Sequence, residues 1–162
     1  MSTFEREGYK WRETYFVLFD SGKRPTLDKV ERLLRNLSGR FELTDARATE
    51  DGRFESITVM SPDDYAALDI SYESGEEVLE QGEIFYQELK PSATEDDERA
   101  KLKRLPKCDA RFDLLHFEQT GDDKPEDDLD EILDPSTLLL VLDALVELTR
   151  GVGIDPQSGA LL

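Results

Sequence analysis

The chain has 162 residues, of which 38 are acidic and 20 basic, for a net charge of -18, with one histidine and one cysteine. That count excludes the usual Cys/His zinc sites and leaves little material for nucleophile chemistry. The carboxylate excess also opposes direct binding of nucleic acid or of an anionic membrane, because both need Lys and Arg to neutralise phosphates.

The length suits a single α+β domain over 1–162, large enough for a core without disulfide staples. Cys108 has no second cysteine to pair with, so no oxidising compartment is called for. The opening MSTFEREGYKWRE has the wrong charge pattern for a secretory signal, and the longest apolar run, 138–142, is far short of a membrane span. A cytoplasmic protein is the expectation.

Residues 14–20 (TYFVLFD) are continuously apolar and aromatic, the pattern of a strand covered on both faces near the middle of a sheet. Pro25-Thr26 opens a helix through Leu37, with Leu27, Val30, Leu33, Leu34 and Leu37 on one face. Gly39 stops it. Alternation over 41–45 and 54–60, with Glu50-Asp51-Gly52 between, predicts an antiparallel hairpin. Residues 61–64 (SPDD) suggest a cap and one helical turn.

Leu68, Ile70 and Tyr72 alternate as a further strand ended by Gly75. Val78, Leu79, Ile84, Phe85 and Leu89 then mark a second helix, weakened by Gly82. Residues 94–104 run from acidic to basic, as a short surface helix would. Residues 111–118 (RFDLLHFE) predict another buried strand. The most acidic stretch, 121–135, is expected to be a mobile loop. Ser136 can cap a last helix, 137–150, apolar almost all round and therefore covered on more than one side or paired in a homodimer. Gly151 stops it, and 155–159 (DPQSG) form a turn. The main elements run strand, helix, hairpin, strand, helix, strand, helix. This order predicts an α+β fold, a mainly antiparallel sheet with helices packed on one face, partly ferredoxin-like.

Few groups could carry chemistry. His116 shares a strand face with Phe112 and Leu114, a core-like setting rather than that of a general base. No Gly-x-Ser-x-Gly elbow accompanies it. Cys108 has Arg104, Lys107 and Arg111 nearby, which could favour a thiolate, yet no CxxC exists and an inert thiol is expected. The acids 122–131 match no EF-hand register. Asp143 and Glu147 share a helix face with Arg150 one turn on, a polar stripe steadied by Glu147 and Arg150. Gly151-Val152-Gly153 lies at a helix end, the wrong end to cradle phosphate. Tyr9-Lys10-Trp11-Arg12 is expected to be an arm packed on the sheet or a small partner-binding patch.

Residues 145–159 (LVELTRGVGIDPQSG) resemble the tails of small uncharacterised bacterial α/β proteins, in which a helix runs into a Leu-Thr-Gly-Gly step and an Asp-Pro-Gln turn. Arg150 stands in place of the first glycine and Gly153 in place of a bulkier residue. Some of those proteins look like immunity or phage-related accessory factors, so the resemblance implies binding rather than catalysis and assigns no functional residue.

The leading expectation is a non-enzymatic acidic interaction protein that binds a basic protein partner, with no catalytic, cofactor or metal residues and no cofactor. One alternative is a small-ligand sensor lined by Tyr15, Phe41, Phe54, Tyr72 and Phe85. Another is a carboxylate-dependent metal hydrolase using Asp143, Glu147 or the acids of the loop.

Overall fold

The computed structural model describes residues 9–62, 66–119, 136–158 and 160–162. Seven strands form one sheet: β1 (Tyr9–Phe19), β2 (Glu42–Ala48), β3 (Phe54–Ser61), β4 (Ala66–Ser74), β5 (Ala110–Gln119), β6 (Val152–Asp155) and β7 (Ala160–Leu161). Their order is β2-β3-β4-β5-β1-β6-β7 and every pairing is antiparallel. The helices are α1 (Leu27–Leu37), α2 (Glu76–Leu89), α3 (Asp96–Arg104) and α4 (Ser136–Thr149). The fold is α+β, as the element order indicates. Among the described residues no helix is long and apolar enough to cross a membrane.

β1 is central, between β5 and β6. Val17, Leu18 and Phe19 are consecutive and all buried, which an extended chain achieves only when both its faces are covered. On one face Val17 and Phe19 join Ile57, Ile70 and Phe112 under Val30 and Leu34 of α1 and Leu138, Val141, Leu142 and Leu145 of α4. On the other, Leu18 packs with Val152 and Ile154 under Phe85 of α2, Leu102 of α3, and Leu105 and Cys108 around a 3-10 turn, Leu105–Lys107.

The helices are therefore split between two faces, where the sequence pattern led us to expect one. The apolar run in β1 demands cover on both sides, and α2 with α3 supplies the second. The likeness to a ferredoxin-like order stops at the opening strand–helix–hairpin. In that plan the first strand lies beside the third, whereas here β4 and β5 stand between β1 and β3.

Local chemistry sets the element ends. Thr26 accepts a hydrogen bond from the Lys29 N–H at 3.2 Å and so caps α1. Gly52, at φ 83°, makes the β2–β3 turn. β1 begins at Tyr9, so Tyr9-Lys10-Trp11-Arg12 is strand, paired with residues 117–119 of β5, rather than an arm. Arg12 and Glu118 pair across that ladder at 2.7 Å. The helical turn expected at 61–64 lies largely outside the described residues, as does the acidic loop 121–135. Neither β6, in the glycine-interrupted 151–155, nor β7, in the short apolar end, was foreseen.

α4 is buried along Leu138, Val141, Leu142 and Leu145, so most of its apolar circumference is covered within the chain. Leu139 and Leu140 remain outward, and a homodimer through this helix would have to use them.

Gly82 sits in the middle of α2, where alanine ordinarily stabilises by about 1 kcal/mol. A Cβ there would lie 2.4 Å from the carbonyl oxygen of Leu105. Gly82→Ala should therefore destabilise, by about 1–3 kcal/mol for an overpacked contact. Urea unfolding checks the sign; a stabilised variant would show that α2 does not approach the 3-10 turn this closely.

Candidate functional site

The residues nominated by sequence are scattered. His116 lies on β5 opposite Glu13 of β1 and Leu68 of β4. It is buried, with Nδ1 3.2 Å from Glu13 Oε1. It lines neither of the two hollows described below. Cys108 is buried after the 3-10 turn, its Sγ donating to the Arg104 carbonyl at 3.3 Å. Burial pushes its thiol up to about 11, against an opposing pull from Arg104. Arg111 lends no help: its guanidinium is held by Asp113 and Gln81 and lies over the Phe16 ring.

Asp143 and Glu147 face outward on α4. Arg150 does not continue their stripe, because its φ of 54° takes it off the helix, and no ion pair joins it to Glu147. Among the described residues no three His, Cys, Asp or Glu side chains gather closely enough to hold a metal. The five aromatics do not form one pocket. Tyr15, Phe41, Phe54 and Tyr72 belong to the α1/α4 side of the sheet and Phe85 to the opposite side. Tyr72 is also covered by Arg24, 3.8 Å above its ring.

Two hollows of opposite charge stand out among the described residues, both missed by sequence reasoning. The first lies on the outer side of α2. Val78, Gly82 and Phe85 form the buried stripe of that helix. Its other residues include Glu76, Glu77, Glu80, Glu83 and Glu88, with no basic residue to offset them. Glu80, Glu83, Ile84, Gln87 and Glu88 border a shallow hollow of about 480 Å³. Ile84 is 56% exposed and Leu79 36%. The signal was readable: these two side chains fall off the Val78–Gly82–Phe85 stripe and have no reason in the core to be apolar.

The second hollow, of about 200 Å³, opens where the end of β1, the 3-10 turn and the end of α4 meet. Phe19, Cys108 and Thr149 are its buried floor, and Lys23, Arg104, Lys107 and Arg150 stand around it with Asp20. The Asp109 carboxylate accepts from the N–H and the hydroxyl of Ser21, both at 2.7 Å, and these bonds clamp the loop carrying Lys23 to the segment after Lys107. Those bonds hold the Asp109 carboxyl below its ordinary range. Arg104 Nη1 donates to the Arg150 carbonyl at 2.8 Å, satisfying one carbonyl at the end of α4.

Arg150 occupies the position just past α4, where Gly151 N–H bonds back to the Val146 carbonyl at 3.1 Å. Glycine is the usual occupant there, and a side chain in the left-handed region costs about 1 kcal/mol or more. These four cations come from three distant stretches, so only the non-glycine helix end marked the place in sequence.

No family model matches the chain, and the searches of curated proteins and of solved structures found no match to it either.

With its thiol neutral and covered, Cys108 should resist iodoacetamide at pH 8 for hours in the folded protein and react within minutes in denaturant. Mass spectrometry of the two samples distinguishes them. Fast labelling in the native state would mean that the floor of the hollow opens.

Proposed function

We propose that this protein is a non-enzymatic, cytoplasmic interaction protein that binds a basic protein partner, with the outer face of α2 as its docking surface. The observation that carries the reading is the pairing of an acidic helix face, free of basic residues, with exposed Ile84 at the border of a shallow hollow and exposed Leu79 on the same helix. Interfaces combine apolar anchors, which supply affinity, with a charged surround that sets the partner and speeds encounter. A basic helix or strand with an apolar side chain among its cations would complement this face. The net charge of -18 adds long-range attraction for such a partner.

The alternatives have less support. The aromatic lining of a sensor pocket is divided between two sides of the sheet. The carboxylates Asp143 and Glu147 stand on an outward helix face without a third ligand among the described residues.

The test compares two triple variants with the same change in charge. Glu80→Lys, Glu83→Lys and Glu88→Lys reverse the α2 face. Glu42→Lys, Glu50→Lys and Glu55→Lys do so on the exposed hairpin. Proteins retained from native lysate at low salt and released at high salt should be lost with the α2 variant, by tenfold or more in affinity for the recovered partner, and kept with the hairpin variant. Equal loss in both would assign the binding to overall charge rather than to α2. Ile84→Ser alone should weaken the same complex without altering its salt dependence.

A further inference from the structure

We propose that the hollow at the joined ends of β1, the 3-10 turn and α4 binds a small, multiply charged oxyanion, in chemical class a phosphate group. It is a different surface from the α2 face and stands independently of that reading.

Charge is the first argument. In a chain with nearly two acids for each base, Lys23, Lys107 and Arg150 make no ion pair among the described residues, though all three border one hollow with Arg104. Cations that merely serve solubility would be dispersed or paired. Here four converge, and Asp20, whose carboxylate already accepts the Gly22 N–H at 2.8 Å, is the one acid among the lining residues.

Ordering is the second. Asp109 fixes the loop of Lys23 through Ser21, and the Arg150 carbonyl fixes the guanidinium of Arg104 while leaving further N–H donors unused. A site whose donors are held before the ligand arrives loses less entropy on binding.

Backbone strain is the third. Complementing the negative end of α4 needs a nearby cation, but not one at the left-handed position. A lysine or arginine within the last turn would serve, and glycine would suit the turn itself. Placing Arg150 there sacrifices stability and sets the residue at the border of the hollow instead of along the helix. Such a cost is characteristic of a residue kept for binding. The volume, about 200 Å³, is below the range for drug-sized ligands and suits a tetrahedral anion with a few waters.

The experiment is titration of the whole chain with inorganic phosphate at fixed ionic strength, sodium chloride making up the difference, followed by calorimetry and by thermal unfolding. Wild type should show a saturable heat and a rising Tm that chloride alone does not produce. Arg150→Gly should raise the Tm without phosphate by about 2–4 °C and weaken phosphate binding about tenfold, because strain and a charged donor leave together. Lys107→Gln, an exposed substitution, should leave the Tm nearly unchanged and still weaken binding severalfold. A parallel titration with a nucleoside monophosphate separates the two sources: tighter binding than free phosphate assigns the site to a phosphorylated metabolite, and equal or weaker binding to inorganic phosphate. Identical responses to phosphate and chloride in the wild type would overturn the proposal. So would unchanged phosphate affinity in both variants, whatever their stability.

Discussion

β1 has to be covered on both faces at once, and most of the architecture follows from how that is done. Val17 and Phe19 look to α1 and α4, Leu18 to α2 and the 3-10 turn, and none of the three keeps meaningful exposure. Backbones must come close on both sides, and glycine stands at each approach. A Cβ on Gly151 would lie 2.6 Å from the Leu18 carbonyl oxygen, and one on Gly153 would touch Leu142 and Val146. Gly82 lets α2 settle against Leu105 on the far side. Covering the same end of β1 from both faces brings the C-terminal ends of α3 and α4 together. The small hollow is the space left between them.

Two helix C-termini side by side concentrate partial negative charge, and the chain answers with cations. Lys101, Lys103 and Arg104 fill the last turn of α3, and Arg104 also reaches the carbonyl of Arg150. That accounts for one or two positive groups at this end. It does not account for Lys23, which arrives from the loop after β1 under the hold of Asp109, or for the left-handed placement of Arg150. On α2 the charges have the opposite arrangement. Glu76 and Glu77 suit the N-terminal end of the helix, whereas Glu83 and Glu88 extend the acid face toward the end where its dipole disfavours them. In both places the helix dipole explains part of the pattern and leaves a remainder directed outward.

The regular elements were legible because burial imposes period on them. The α1 face, the β2–β3 hairpin, β4, α2 and β5 all follow from apolar spacing and turn residues, with ends displaced by a few residues. β6 was hidden because Val152 and Ile154 are only two apolar residues, separated by a glycine whose purpose is to admit α4 rather than to end it. The second helical face was hidden because alternation tells which strands are two-sided but not which helices cover each side. An inert Cys108 was the expectation because no CxxC partner exists. Of the cations that could have favoured its thiolate, Arg104 does oppose the effect of burial, while Arg111 is turned to Asp113. Only the non-glycine end of α4 hinted at the cationic hollow, because residues 23, 104, 107 and 150 meet only through the β1–β5 and β1–β6 pairings.

An anion site on a chain of net charge -18 raises an electrostatic difficulty, and distance resolves it. At physiological ionic strength the Debye length is about 8 Å, so acids beyond one or two side-chain lengths are largely screened. An anion inside the hollow is governed by what lines it, namely four cations, one acid already engaged by a backbone N–H, and a floor that carries no charge. The protonated state of Cys108 belongs to this balance: a thiolate at that depth would cancel one of the cations, and burial keeps it neutral well above physiological pH. The acidic exterior then acts mainly on encounter, slowing the approach of anions and favouring that of cationic partners, while the hollow acts on what has already arrived. Opposite preferences can therefore coexist on one small protein, since one is set by the long-range field and the other by contacts within a few ångströms.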